Sequence, residues 1–348
     1  MTKTYVATFI PGFSKLVREL LMYHFPDTRT SILLDGLTVF STVSDPTRLM
    51  YFNNIFLLLH VFPTCGAQPM HEMLKYIARS KKAARTIAMN RPSPGASFRI
   101  VTSRENRLVA VDNRMLARAE KHLTAETGMK VNRSRPDIEL WCLYRREGTG
   151  FFMMRLTKHA TTQRMLHKGE LRPELAGLLC ALSEPRDSDV FVDPFCGYGS
   201  IPLARAQLAP YRTIHALDND MHMVTYLKKK LQTRDIPYPS RSIRVGHCDA
   251  LHLDTFEDNS VDKIVTDPPW GIFDAKKTNG IDLFYRDMLG ECIRILKTSG
   301  ILIILTAQKE LLGNSVGYYS DILEIADTYH ILVAGEKAAV YKCKKVNV

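Results

Sequence analysis

Asp267-Pro268-Pro269-Trp270-Gly271 follows a hydrophobic run, Lys263 to Thr266, that reads as a strand. Two consecutive prolines carry no backbone N–H and fix φ, so they end the strand and stiffen the chain beyond it. The Asp267 carboxylate and the Pro268 carbonyl then face one spot, and an amine nitrogen fits between them. Trp270 offers an aromatic face for a flat base taken out of its stack. A turn without chemistry could also read D-P-P-W. Three further acids, each at the end of a preceding strand, weigh against that.

The first of these acids lies in V-F-V-D-P-F-C-G-Y-G-S, residues 190–200, where a hydrophobic strand ends in a glycine turn that opens a helix. An open parallel sheet binds its ligand at such a place. Asp193, Phe195, Cys196, Gly197 and Gly199 are the candidate residues, with the two glycines letting backbone approach a ligand closely. The third glycine of a dinucleotide fingerprint is missing, and Pro202 stands there instead. Alone, this loop could be a plain structural turn. The second strand ends at Asp218, 21 residues after Gly197, in A-L-D-N-D. There an acid can accept both hydroxyls of an adenosine ribose, with Asn219 beside it. A helix N-cap would use the same position but leaves the spacing unexplained. Asp249 and Ala250, in G-H-C-D-A, end the third strand, where the acid could accept from an adenine amino group. Together these residues point to an adenosine-bearing cofactor.

The elements that must position these residues are legible as alternation. From about residue 186 the pattern reads strand 190–192, helix 201–208, strand 213–217, helix 221–232, strands 242–246 and 263–266, helix 282–296, strand 301–306 and a terminal antiparallel pair, 322–332 and 338–344. The first half is different. It reads strand 5–10, helix 13–25 and a hairpin turning at Asp35-Gly36, then strand 55–61, helix 70–85, strand 97–103, helix 109–126 and two strands, 137–145 and 150–157, which makes two successive α+β layers.

Charge separates the halves as well. Residues 1–175 hold 27 Lys/Arg against 14 Asp/Glu, while residues 176–348 hold 20 against 22, so the net charge of +11 divides into +13 and −2. A polyanion partner for the first half is implied, and nucleic acid fits better than a merely soluble surface. Candidate phosphate contacts are Arg79, Lys81, Lys82, Arg85, Arg133, Arg135, Arg145, Arg146 and Lys158. With 45% apolar and 24% charged residues, the composition excludes a disordered, collagen-like or coiled-coil chain. The longest apolar run, 55–62, is too short for a membrane helix, which needs about 20 residues. Seven scattered cysteines without a C-x-x-C pair suggest neither a disulfide framework nor a metal site. The expectation is a cytoplasmic protein in a reducing compartment.

Two stretches carry a family resemblance. F-R-I-V-T-S-R, the long helix, G-M-K-V and N-R-S-R-P-D-I-E-L, spanning 98–156, resemble the THUMP domain of RNA-modifying enzymes, and the unit before it is similar to the ferredoxin-like segment that often precedes THUMP. D-P-F-C-G-Y-G-S and D-P-P-W resemble the motifs of adenosylmethionine-dependent methyltransferases acting on exocyclic amines, with Tyr198 and Ser200 departing from the usual Ser and Thr. THUMP followed by this domain resembles the tRNA guanosine-N2 methyltransferases. The resemblance implies an α/β fold: a C-terminal Rossmann-like methyltransferase sheet of seven strands with the last antiparallel, preceded by the α+β ferredoxin-like segment and THUMP. Domain bounds are expected at 1–54 (ferredoxin-like segment), 55–157 (THUMP), 158–185 (linker) and 186–348 (methyltransferase).

It further implies S-adenosylmethionine as cofactor, no metal, and tRNA as partner with THUMP docking its acceptor end. Asp267, Pro268, Pro269 and Trp270 are then the catalytic group. Other acceptors on the same machinery, a guanosine of ribosomal RNA or an adenine amine, stay open, as does a non-catalytic RNA-binding subunit, although the intact acids and glycines speak against the last. A small activating protein partner is compatible with the sequence, and a monomer is expected.

Overall fold

In the computed structural model the described residues are 2–105, 107–157, 166–233, 237–238, 242–271 and 280–346. The chain divides into two compact units, Met1–Thr8 with Leu21–Ala160, and Phe9–Leu20 with Thr161–Val348. Residues 9–20 thus group with the later part of the chain and not with the rest of the 1–54 segment.

The first unit is built on one sheet. Its elements run β1 (Lys3–Thr8), the end of α1 (Ser14–His24), β2 (Arg29–Leu34), β3 (Leu37–Thr42), β4 (Asn54–Phe62), α2 (Pro69–Ile77), α3 (Lys81–Asn90), β5 (Ser97–Arg104), β6 (Arg107–Leu108), α4 (Asn113–Thr127), β7 (Lys130–Val131), β8 (Ile138–Tyr144) and β9 (Gly150–Arg155). The strand order is β2-β3-β1-β4-β9-β8-β5-β6, with β7 beside β5. The two α+β layers expected from the sequence therefore share a continuous sheet. Strand β4 joins them, pairing Tyr5↔Leu57 on one side and Val61↔Phe151 on the other, both antiparallel. Strand β5 is parallel to β8.

Helices α2, α3 and α4 bury Leu74, Ile77, Ala84, Ile87, Ala119 and Leu123 in one core with Phe98, Leu140 and Phe152 of the sheet. The single helix expected over 70–85 is two. Ser80 ends the first run by capping the second, its Oγ accepting from the Ala83 N–H at 3.2 Å, so the basic residues fall on and just before a separate helix. The helix expected from 109 starts later because Asp112 caps it through the Met115 N–H, and it stops at Gly128 in the left-handed conformation.

The second unit carries α5 (Pro173–Leu182), β10 (Val190–Asp193), α6 (Ser200–Leu208), β11 (Thr213–Asp218), α7 (Met221–Gln232), β12 (Ser242–His247), β13 (Val261–Thr266), α8 (Ile281–Ile295), β14 (Leu296–Thr306), α9 (Lys309–Tyr318), β15 (Leu323–Val333) and β16 (Glu336–Lys345). They form a seven-stranded sheet of order β12-β11-β10-β13-β14-β16-β15. The pairs from β12 to β14 are parallel, and β16 runs antiparallel to both its neighbours. The chain leaves β10 outward through β11 and β12, then returns to build β13 and β14 on the other side. Strand order therefore reverses between β10 and β13, and the crevice beyond their carboxyl ends is where such sheets hold a ligand. Helix α9, absent from the sequence reading, interrupts its pattern with Gly313 and Gly317 and still packs Leu312 and Val316 into the core. Among the described residues no helix is long and apolar enough to cross a membrane.

Candidate active site

Four strand ends bring the acids together at this edge. Asp193 closes β10, Asp218 closes β11, Asp249 follows β12 and Asp267 follows β13.

Asp193 is 0 % exposed, with Oδ1 accepting the Phe195 N–H at 3.2 Å; the Thr266 hydroxyl lies beside the carboxyl, and among the described residues Oδ2 makes no hydrogen bond of good geometry. Burial holds its carboxyl well above the usual carboxylate range, and the charges of Asp218 and Asp267 push the same way. Such an orphaned, buried oxygen beside a cleft fits a cationic ligand group.

The glycine turn is organised by Asp218. Its Oδ2 accepts the Gly197 N–H at 2.8 Å and its Oδ1 accepts the Asp220 N–H at 2.9 Å. The helix N-cap is Asp220, which receives the His222 N–H, so Asp218 is not a cap. Each Asp218 oxygen keeps a second lone pair for a sugar hydroxyl. The two glycines serve different ends. At Gly199, φ is +81° and a Cβ would stand 2.3 Å from Leu227 Cδ1, whereas at Gly197, φ is +47° and a Cβ would meet nothing within 4 Å. Open space over Gly197 is room for a ligand. Phe195 packs edge-on against Phe284 at 5.9 Å. Cys196 and Ala250 are buried, so their side chains shape the wall, and Asn219 is exposed with its carbonyl 3.0 Å from His247 Nε2. Asp249 is exposed and its Oδ1 accepts the Leu251 N–H at 3.0 Å.

In the loop after β13, Trp270 Nε1 donates to Asp267 Oδ1 at 2.9 Å. Burial raises the Asp267 carboxyl to about 7, and the indole N–H works against that shift. Trp270 itself is half-buried and lies outside the buried core, Pro268 is buried and Pro269 exposed. Three residues that the sequence reading missed hold this loop from behind. Tyr285, fully buried on α8, donates to the Pro269 carbonyl at 3.2 Å and lies 2.7 Å from Thr306 Oγ1. Gln308 Nε2 donates to the Trp270 carbonyl. Thr306 ends the next strand of the same parallel run and Gln308 follows it, and that position was the available signal.

The candidate phosphate contacts divide by exposure. Arg79, Lys81, Lys82 and Arg85 are all exposed along and just before α3, and Arg135 and Arg146 are exposed as well. Arg133 is exposed but bonded through Nε and a terminal nitrogen to Glu120 at 3.2 and 2.7 Å. Arg145 corrects the expectation: it is only 8 % exposed, donating to the Asp35 carbonyl at 2.9 Å and to Glu147 at 3.4 Å, so its guanidinium braces the sheet. Lys158 lies outside the described residues.

Residues 161–318, which contain all four acids and D-P-P-W, match the family described as RMKL-like, methyltransferase domain. That stretch is thus similar to the methyltransferase domains of this family. Beyond it, the chain is 32% identical over 205 residues to the tRNA (guanine(10)-N2)-dimethyltransferase of Methanothermobacter thermautotrophicus, covering 55% of this chain and 57% of the relative. It is 28% identical over 224 residues to the tRNA (guanine(6)-N2)-methyltransferase of Thermus thermophilus, covering 63% and 65%. The chain thus spans less than two thirds of either relative. Among solved structures, TrmN from Thermus thermophilus superposes with a TM-score of 0.74 over 99% of this chain and 100% of that one, at 22% identity. Its fold is therefore shared along the whole length.

Proposed function

We propose that this methyltransferase uses S-adenosylmethionine to methylate the exocyclic amine of a guanosine in tRNA, forming N2-methylguanosine. The observation that carries the reading is Asp267, held at the reversal of strand order with Oδ1 fixed by Trp270 and Oδ2 left for a donor. The names of the relatives support the same chemistry. The residues present also fit the cofactor. Asp218 would take the ribose hydroxyls, Gly197 the close backbone approach, Asp249 and Ala250 the adenine side, and Asp193 a cationic group.

When bound, the cofactor supplies an electrophilic methyl on a positively charged sulfur. The chain's own residues must make the amine a nucleophile. The lone pair of a guanine amine is delocalised into the ring. Hydrogen bonds from its two N–H groups to Asp267 and to the Pro268 carbonyl pull the nitrogen toward tetrahedral geometry and localise that pair. Asp267 has to be ionised to accept, and a carboxyl near 7 can afterwards take the released proton. Trp270 orients the carboxylate and presents its ring to the base, while Tyr285 and Gln308 fix the loop, so acceleration comes mainly from orientation.

We further propose that the expected THUMP segment, 55–157, with the stretch before it, binds the tRNA through the exposed face of α3, in the cytoplasm where tRNA is modified. Incubating the purified chain with unmodified tRNA and labelled cofactor, followed by nucleoside mass spectrometry and mapping, tests this. N2-methylguanosine in tRNA is the expected product. Methylation of ribosomal RNA alone, or of adenosine, would overturn it.

A further inference from the structure

A cavity of about 570 Å³ opens at the opposite, amino-terminal edge of the second unit's sheet, lined among others by Arg186, Asp189, Asp262, Lys263, Lys344 and Glu324. Lys263 is 5 % exposed, yet no hydrogen bond or ion pair engages its ammonium among the described residues. Burial of the side chain lowers the Lys263 pKa, against the pull of Asp189, Glu184 and Asp262 nearby.

Those acids are already committed. Asp189 accepts the Arg186 N–H at 2.7 Å and fully buried Arg205 at 3.2 Å. Asp262 accepts the Val190 N–H at 2.9 Å and Lys297 at 2.8 Å. Glu184, on the same wall, pairs with Lys342 at 2.6 Å. Lys345 is likewise spent, on Asn259 and two carbonyls at 2.7 Å. What remains uncommitted is Lys263, the exposed Arg186 and the half-buried Lys344, with Glu324 directly across from Lys344 in the β15–β16 register. The wall also carries the hydroxyls of Ser188, Thr298 and Ser299. With Glu324 set against Lys344, Lys263 and Arg186 remain beside these hydroxyl-bearing residues, a combination that suits a tetrahedral oxyanion.

We propose that this cavity binds a phosphate group, with Lys263 as its buried anchor and Arg186 as its outer ligand. The site stands at the far end of β13 from Asp267, so it is separate from the methyl-transfer cleft.

Calorimetric titration of the full chain with inorganic phosphate, against chloride at equal ionic strength, tests the proposal. Saturable binding is expected, weakened at least tenfold in Lys263→Met, several-fold in Arg186→Ala, and largely restored in Lys263→Arg. Arg186 is exposed, so its variant reports even where Lys263→Met fails to fold. A second arm separates the sources of phosphate. If tRNA competes with inorganic phosphate and binds more weakly to both variants, the group belongs to an RNA backbone. If tRNA binding is unchanged while phosphate binding falls, the ligand is a free phosphate or small phosphate ester. No saturable phosphate binding to the unaltered chain, or equal binding by the chain, Lys263→Met and Arg186→Ala, would overturn the proposal.

Discussion

At Asp267 the same burial that tunes the chemistry costs stability. The folded carboxyl sits at about 7, above the usual aspartate value near 3.9 of an unfolded chain. Between those values the folded state holds a proton that the unfolded state has lost, so stability declines as pH rises from about 4 to about 7 and levels off above. Asp267→Asn stays neutral throughout and keeps an acceptor for Trp270 Nε1. It should melt above the unaltered protein at pH 8, with the difference largely gone at pH 5. Methyl transfer should fall at least ~100-fold, the scale of a positioned acid-base group. A melting difference equal at both pH values would show that ionisation is not its cause. Trp270 separates two roles in the same way. Trp270→Ala loses ring and N–H together, and should slow methylation by one to two orders of magnitude, since base stacking is worth roughly 1–3 kcal/mol. Trp270→Phe keeps a ring but loses the N–H that restrains the Asp267 shift, so its pH–rate profile should move toward higher pH. An unmoved profile would deny the indole any electrostatic part.

At the scale of elements, the turn after β10 shows what sequence can and cannot say. Its two glycines are equally visible in G-Y-G, but only the packing of α7 reveals that Gly199 is closed off by Leu227 while Gly197 faces open space. Gly199→Ala should lower the melting temperature, because a left-handed residue with a Cβ costs on the order of 1–3 kcal/mol before the clash is relieved. Gly197→Ala carries the same left-handed strain without the clash, so it should melt above Gly199→Ala and bind adenosylmethionine more weakly, as calorimetry would register; the reverse pattern would exchange the two assignments. The strand-end acids were legible because Asp193 and Asp218 close their strands while Asp249 and Asp267 follow theirs within two residues. Tyr285, Thr306 and Gln308 were not, since the hydrogen bonds of Tyr285 to Pro269 and Thr306, and of Gln308 to Trp270, join segments whose approach no local pattern encodes. For the same reason the continuity of the first unit's sheet was hidden. It depends on β4 meeting β9 across nearly the whole unit. Helix α9 was lost to its glycines, and the split between α2 and α3 to a serine cap that periodicity reads as one more polar position.

For the whole molecule, the division of charge between the halves becomes a statement about which cations are available. Residues 1–175 carry +13, but side chains spent inside the fold do not meet an RNA backbone. Arg145 is buried against Asp35 and Glu147, and Arg133 is engaged with Glu120, whereas the side chains of Lys81, Lys82 and Arg85 stand exposed on α3 with no hydrogen bond or ion pair among the described residues. A counterion is released for each phosphate neutralised, so a cation that truly touches phosphate contributes to the salt dependence of binding. The triple variant Lys81→Glu, Lys82→Glu, Arg85→Glu should therefore weaken tRNA binding at low salt and reduce the slope of log affinity against log salt by roughly three, at ~1 for each phosphate that is no longer neutralised. Arg145→Ala should lower the melting temperature and leave that slope intact. Filter binding over a salt series, read beside thermal melts of the same proteins, distinguishes them. An unchanged slope in the triple variant would move the RNA-binding face away from α3, while a reduced slope in Arg145→Ala at full stability would mean that its guanidinium leaves the sheet to meet RNA.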